Sequence, residues 1–348
     1  MSKKRLYIII LAFCVSTSTM LAQKALRFSS KETVASADFK PFDYSQFFNH
    51  LDVAATLGTT GIGVDVATPV GEYVQLRAGF SYMPRFETTT SFRVQVGDKL
   101  DKKWDENGNR LQTKFDKLAG YLKSAVGYEV DDEVDMICKP TFYNFKVMAD
   151  IFPFSDKRWH LTAGFFVGPS EVARAYNTTE EMPTLLSVGI WNNLYDKAYN
   201  FEPIYDSYYI DPAIEQKLLD NGRMAFHAGD FVDNYVDSKG INHKKGDPYM
   251  MEPEEKSGMV KAYVRTNRFK PYVGGGFSGA ITKDKLTQIS IDAGLMFWGG
   301  TPSVITHEGV DLTHDVENIS GKLGRYVDTA KFFKVFPVLE VRISRRIF

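Results

Sequence analysis

The sequence has very little cysteine: two residues in 348, Cys14 and Cys138. If Cys14 leaves with an N-terminal signal, no intrachain disulfide can form, and stability must rest on hydrogen bonding and packing. Beyond the N-terminus there is no long uncharged apolar run, so no segment offers the ~20 residues that a spanning helix needs. Neither charge is in excess. The 42 Lys and Arg stand against 43 Asp and Glu, which excludes the basic footprint of a nucleic-acid-binding chain. Acidic runs such as Asp131-Asp132-Glu133 and Glu252 to Glu255 are short and read as solvated loop.

What is present begins with an export signal. Lys3, Lys4 and Arg5 form a basic stretch, Leu6 to Val15 an apolar one, and Ser16 to Ala22 is mostly small or polar. This is the layout of a signal peptide cleaved near Ala22. Two alternatives share these residues. An uncleaved anchor would need about twice the apolar length. A lipoprotein signal would place Leu11-Ala12-Phe13-Cys14 as a lipobox, but Phe13 is bulky where such a motif carries a small residue.

The mature chain alternates. From Tyr73 to Tyr82, Val74, Leu76, Ala78, Phe80 and Tyr82 share one face, and Gln75, Arg77 and Ser81 the other. The same period of two runs through Thr141–Ile151, Trp159–Gly168, Gly258–Arg268, Gln288–Trp298 and the C-terminal segment. Period two is the strand signal. Runs of ~10 residues suit tilted strands crossing a bilayer, whereas strands of a soluble sandwich average ~5–6. The polar faces repeat Lys, Arg and Asp beside Gly, as a wet lumen would. With no helix to span a membrane, a membrane chain of this kind must close into a barrel, because only helices and barrels satisfy every backbone hydrogen bond in hydrocarbon.

Connections alternate between short and long. Short ones lie at Pro69–Glu72, Phe152–Arg158 and Thr266–Lys270; long ones lie near 84–140 and 169–257. Leu51–Gly58 and Gly61–Thr68 supply a first hairpin. Tyr272–Ala280 rises, Gln288–Trp298 returns, and a short strand at Pro302–Thr306 precedes a closing strand over Val335–Phe348. The sequence therefore predicts an all-β transmembrane antiparallel barrel of about ten strands, with eight or twelve as alternatives. Its parts would be a signal peptide (1–22), an N-terminal periplasmic segment (23–50) and the barrel (51–348). Helical spacing at Phe115, Leu118, Tyr121, Leu122 and Ala125, and short helices at Pro212–Leu219 and Asp311–Ala330, are expected within the long extracellular connections.

The stretch GTTGIGVDVATPVGEYVQLRAGFSYMP, Gly58 to Pro84, resembles the first hairpin and third strand of small porin-like outer-membrane barrels, particularly those of Bacteroidetes-type bacteria. The resemblance implies an outer-membrane location, contact with membrane lipid and insertion by barrel assembly machinery that reads a terminal strand. One feature departs from it: Phe348 is in phase with Arg346, Ser344 and Arg342, not with the apolar residues.

Motifs for other chemistry are weak. Gly274, Gly276 and Gly279 match G-x-G-x-x-G, but a strand follows where a dinucleotide site needs a helix; close packing explains glycine there better. His307, Asp311 and His314 could share a helix face, yet Asp311 stands where H-E-x-x-H needs histidine. His227, Asp230 and Asp233 are loop-borne acid–base groups without a recognisable nucleophile. No enzyme activity, cofactor, metal or nucleic-acid partner is expected. The inward faces instead carry a candidate charge network of Asp65, Asp150, Asp292 and Glu340 with Arg77, Lys146, Lys261, Arg265 and Arg342. Such groups in a narrow lumen should pair. The expected function is a narrow pore or a structural or surface-binding scaffold; the alternative is an outer-membrane hydrolase using loop acids and histidines.

Overall fold

The computed structural model describes residues 48–97, 101–127, 129–319 and 321–347. The expected signal peptide, all but the end of the expected 23–50 periplasmic segment, and Phe348 lie outside the described residues.

Alternation produces strands at once. β1 (Asp52–Gly58), β2 (Gly61–Pro69) and β3 (Val74–Tyr82) form an antiparallel meander. The chain then leaves this sheet for β4 (Thr88–Val96), helix α1 (Lys114–Val126) and β5 (Glu133–Pro140). Thr113 starts α1: its hydroxyl accepts from the Asp116 amide while the Asp116 side chain accepts from the Thr113 amide, a reciprocal cap. β6 (Tyr143–Ile151) and β7 (Trp159–Val167) return to the first sheet.

A second departure is the longest. It holds β8 (Glu171–Asn177), α2 (Met182–Tyr199), α3 (Pro212–Asn221), β9 (Met224–Phe231), the short pair β10 (Tyr235–Val236) and β11 (Asn242–His243), β12 (Pro248–Met251) and β13 (Lys261–Arg265). β14 (Phe269–Ala280) and β15 (Thr287–Met296) rejoin the first sheet. The third departure carries β16 (Ser303–Thr306), β17 (Val316–Glu317) and α4 (Gly321–Phe332) before β18 (Phe336–Arg346) closes the structure.

The result is a closed eight-stranded barrel in the order β1-β18-β15-β14-β7-β6-β3-β2. Closure rests on the β1–β18 ladder, where Ala54 faces Ser344 and Thr56 faces Arg342. All three departures leave and re-enter at one rim. The opposite rim has the short turns after β2, β6 and β14, together with the start of β1 and the end of β18.

Eight strands replace the expected ten. The two surplus segments, Gly258–Arg268 and Pro302–Thr306, are strands, but they pair with each other outside the barrel as β13 and β16, Ala262 facing Thr306 and Val264 facing Val304. Thr266–Lys270 is therefore a connection at the rim of the departures, and the β14–β15 turn moves to the opposite rim. β14 also starts earlier than expected, at Phe269, so Pro271 is its third residue.

The departures build a second sheet, in the order β12-β9-β4-β5-β8-β13-β16, with β17 on β9. It has its own core, including Val94, Phe226, Ala228, Leu185, Val188 and Leu312. This part of the chain is a folded body, and its strands point apolar residues inward, the reverse of the barrel.

Candidate functional site

The barrel's exterior is apolar and its interior polar. On β2, Ile62, Val64 and Val66 are exposed while Asp65 and Ala67 are buried; on β6, Phe145 and Val147 are exposed while Lys146 and Asp150 are buried. Rings gather near both ends of the outward surface. Phe80 lies 5.1 Å from Phe145 and Phe165 5.1 Å from Phe269 toward one rim, and Trp159 5.0 Å from Phe277 toward the other. An apolar band between aromatic girdles is the lipid-facing pattern of membrane barrels.

Inside, seven of the nine expected charges meet. Arg77 sits at the centre. Its guanidinium donates to Asp292 at 3.0 Å and Asp150 at 3.1 Å, with Glu340 at 3.6 Å and Asp65 at 3.7 Å. Lys146 bridges Glu340 at 2.6 Å and Asp65 at 3.0 Å. Arg342 lies 3.6 Å from Asp150 and 3.7 Å from Asp292. All seven are buried.

The other two were misplaced. Lys261 and Arg265 belong to β13 in the second sheet. Lys261 bonds Glu254 at 2.6 Å, and Arg265 lies over the Tyr263 ring. Alternation in β13 is genuine, but its polar side faces out of the second-sheet body and not into a lumen. Without these two, four carboxylates face three bases.

Two lumen partners escaped the sequence reading. His160 Nε2 is 2.8 Å from Asp292, and the Thr162 hydroxyl donates to Asp150 at 2.7 Å. Their position on the inward face of β7 was legible, but neither residue type announces an ion cluster. Glycine makes room for the cluster. Gly79 lies opposite both Asp65 and Lys146 in register, and a Cβ there would stand 2.0 Å from the Asp65 carboxylate. Gly276 lies opposite both His160 and Asp292, and its Cβ would stand 2.0 Å from Asp292. The apparent nucleotide motif is thus a strand that yields space to buried charges.

Toward the rim of the departures the lumen changes character. Phe142, Met148, Phe166, Tyr272, Met296 and Trp298 form a buried apolar cluster, with Val172 of β8 and Val338 joining it. Trp298 is fixed by a 3.0 Å bond from its indole nitrogen to the Phe333 carbonyl. Lys270 is fully buried in this layer. It reaches only oxygens of Asn144, Pro169 and Arg268 at 3.4–3.5 Å and the Phe142 ring. Between the charged and apolar layers a void of about 10 Å³ remains, room for at most one water. On the other side of the charges, a polar vestibule of about 50 Å³ opens at the rim of the short turns, lined by Asp52, Gln75, Lys157, Ser278, Arg342 and Ser344.

The acid–base residues of the second sheet are dispersed. His227 Nε2 lies 3.3 Å from Asp230, whose other oxygen accepts from Asn318. His307 bonds the Glu252 carbonyl at 2.8 Å, while His314 bonds Asp311 at 2.8 Å. Asp233 forms no ion pair among the described residues.

No protein-family model matches the sequence, and no curated protein sequence matches it. Several solved structures are distantly similar. CarO2 of Acinetobacter baumannii is 13% identical, with a TM-score of 0.34 over 87% of this chain and 100% of that one. CarO of the same organism is 12% identical, with a TM-score of 0.34 over 85% and 97%. A major outer membrane protein from Thermus thermophilus is 11% identical, with a TM-score of 0.23 over 86% and 98%. The barrel and its layered lumen stand on this chain's own strand ladder.

Proposed function

We propose that this chain is a porin-like outer-membrane protein in which the barrel is a sealed anchor and the second sheet is the working part, displayed on the cell surface as a binding scaffold. The observation that carries this reading is the doubly closed lumen. A pore must leave a continuous wet path, whereas here an ion cluster centred on Arg77 is stacked against an apolar layer around Trp298. Either layer alone would obstruct a barrel of eight strands, whose interior is just wide enough for side chains to fill.

The apolar band supports a barrel lying in lipid, and the resemblance of Gly58–Pro84 to Bacteroidetes-type barrels supports insertion by the assembly machinery. Orientation follows the usual asymmetry of such proteins, with short turns periplasmic and long connections extracellular. The start of β1, the end of β18, the 152–158 turn and the 281–286 turn are then periplasmic, and the second sheet is outside. A scaffold of this kind needs no acid–base centre, and the dispersed histidines of the second sheet offer none.

Conductance in a planar bilayer tests the seal. Purified protein should insert without a steady conductance, and a large steady conductance would overturn the anchor reading. Orientation is tested separately on intact cells, in a Cys138→Ala background. A cysteine introduced at Lys283 should resist an impermeant maleimide, while one at Gly240 should react; the reverse pattern would invert the topology.

A further inference from the structure

Large rings that a folded body would normally bury cluster in water on the second-sheet body at the connection between α2 and α3. Tyr205 is 79% exposed, Phe201 75% and Tyr208 73%, with Tyr199 and Tyr209 also exposed. Exposed apolar surface concentrated in this way marks an interaction site.

The connection is built to hold these rings still. The Glu202 amide donates to the Lys197 carbonyl, and the Lys197 ammonium caps the Pro203 carbonyl at 2.8 Å. The Ile204 amide donates to Tyr208 at 2.7 Å and the Tyr208 amide to Tyr205 at 2.9 Å, closing a tight turn. Ile210 then pins the segment by packing with Ala198 and Leu218. Rings held in place before a partner arrives lose little freedom on binding.

The charge around them has one sign. Glu202, Asp206 and Asp211 are exposed, and no Lys, Arg or His stands between Lys197 and Lys217. Neither Glu202 nor Asp206 has a cationic partner among the described residues. One turn of helix away, the same chemistry is already occupied. The Arg223 guanidinium lies 5.8 Å from the Tyr195 ring centroid and is held by the carboxylates of Asp196 and Glu252. Tyr199, next in the chain before the open rings, stacks on Tyr195 at 6.2 Å.

We infer that this aromatic and acidic surface is a docking site for an arginine- or lysine-rich polypeptide segment. Guanidinium groups stack on rings and pair with carboxylates at once, as Arg223 does internally, and a neutral glycan would leave the carboxylates unpaired. The inference rests on the second sheet being the binding part of the molecule.

The test uses full-length protein in detergent micelles and a short fluorescent peptide of alternating Arg and Gly, read by anisotropy. The peptide should bind at least about tenfold more tightly than its Glu and Gly counterpart. The double variant Tyr205→Ser, Tyr208→Ser should weaken binding by about tenfold or more, in line with the loss of two ring contacts. Glu202→Gln with Asp206→Asn should weaken it severalfold and reduce its salt dependence. All these residues are exposed, and unaltered gel migration before and after boiling checks that the variants fold. Equal binding of the acidic peptide, an affinity unmoved by the ring variants, or oligosaccharide binding in place of peptide binding would overturn the inference. Binding by purified protein but not by intact cells would uphold it and refute the outward display of the second sheet.

Discussion

Replacing Arg77 with methionine keeps most of the side-chain volume and removes one charge from the middle of the barrel. The guanidinium is 3% exposed and lies within 3.7 Å of four carboxylates, two of which it hydrogen-bonds. Without it, Asp65, Asp150, Asp292 and Glu340 face only Lys146 and Arg342, with His160 on Asp292. Truncating one partner of a buried ion pair costs about 3–5 kcal/mol, because the other partner is left charged in a place that cannot solvate it. Arg77 serves several partners, but the small void and the polar vestibule give water limited access from one side, so the upper part of that range is the bound. About 3–5 kcal/mol corresponds to roughly two to three and a half decades in the folding equilibrium.

Urea titration in lipid vesicles, followed by the heat-dependent gel shift, reads this difference directly. The second half of the test is compensation. Asp292→Asn in the Arg77→Met background should restore part of the loss, because it removes one of the orphaned charges; neighbours in one ion network couple by ~0.5–3 kcal/mol. Conductance should stay closed in both variants, since the layer around Trp298 is untouched. An unfolding free energy for Arg77→Met that falls by less than about 0.5 kcal/mol, with no coupling to Asp292, would mean that the lumen charges are solvated individually, and the cluster would not be a structural seal.

Gly276→Ala should destabilise the barrel strongly, because its Cβ would stand 2.0 Å from the Asp292 carboxylate, whereas Gly279→Ala meets nothing closer than 4.0 Å; equal melting points for the two would refute the close-packing account. Trp298→Ala should cost ~3–5 kcal/mol as a buried aromatic deletion, and combined with Arg77→Ala it should yield a measurable leak in bilayers that neither change gives alone. In the second sheet, burial would raise the Glu252 acid, but bonds and charge from Arg223, then Lys239, outweigh this and hold it below the ordinary value of 4.5. A lowered folded pKa means stability that is present above the ordinary value and lost as pH falls below it. Hydrogen exchange in β12 should therefore accelerate below about pH 4.5, and Glu252→Gln should flatten that dependence; a wild-type profile unchanged across this range would count against it.

Much of the barrel was legible because its code is local. Tyr73–Tyr82, Thr141–Ile151, Trp159–Gly168 and Gln288–Trp298 each announce a strand by themselves, and the inward residues of a closed barrel are forced together whatever the register. That is why Asp65, Arg77, Lys146, Asp150, Asp292, Glu340 and Arg342 could be grouped in advance. Alternation fails in deciding which face is which. Val260, Ala262 and Val264 alternate as cleanly as Val64 and Val66, but β13 turns its apolar side into a protein core and β2 turns it outward. Only the structure separates them by length. β13 and β16 have 5 and 4 residues, against 9 and 12 in β6 and β14, too short to cross a bilayer that needs ~9–11.

The second sheet was illegible for a different reason. β4 pairs with β5 on one side and β9 on the other, so Val94 meets Phe226 from far along the chain, and no periodicity reports a partner that distant. The aromatic connection between α2 and α3 could be seen as a run of tyrosines, though not as an exposed one. Ile210, in the same stretch, is buried and holds the rings out. The two halves of the molecule depend on each other through the apolar plug. Val172 of β8 belongs to that cluster, with Val264 of β13 and Phe333 packed on it, so folding the second sheet is what completes the upper closure of the lumen. An open barrel would have to give up those contacts, and with them part of the second sheet's attachment. A sealed lumen and an attached second sheet are therefore one structural solution, which is why, under the proposed function, closure favours display over transport.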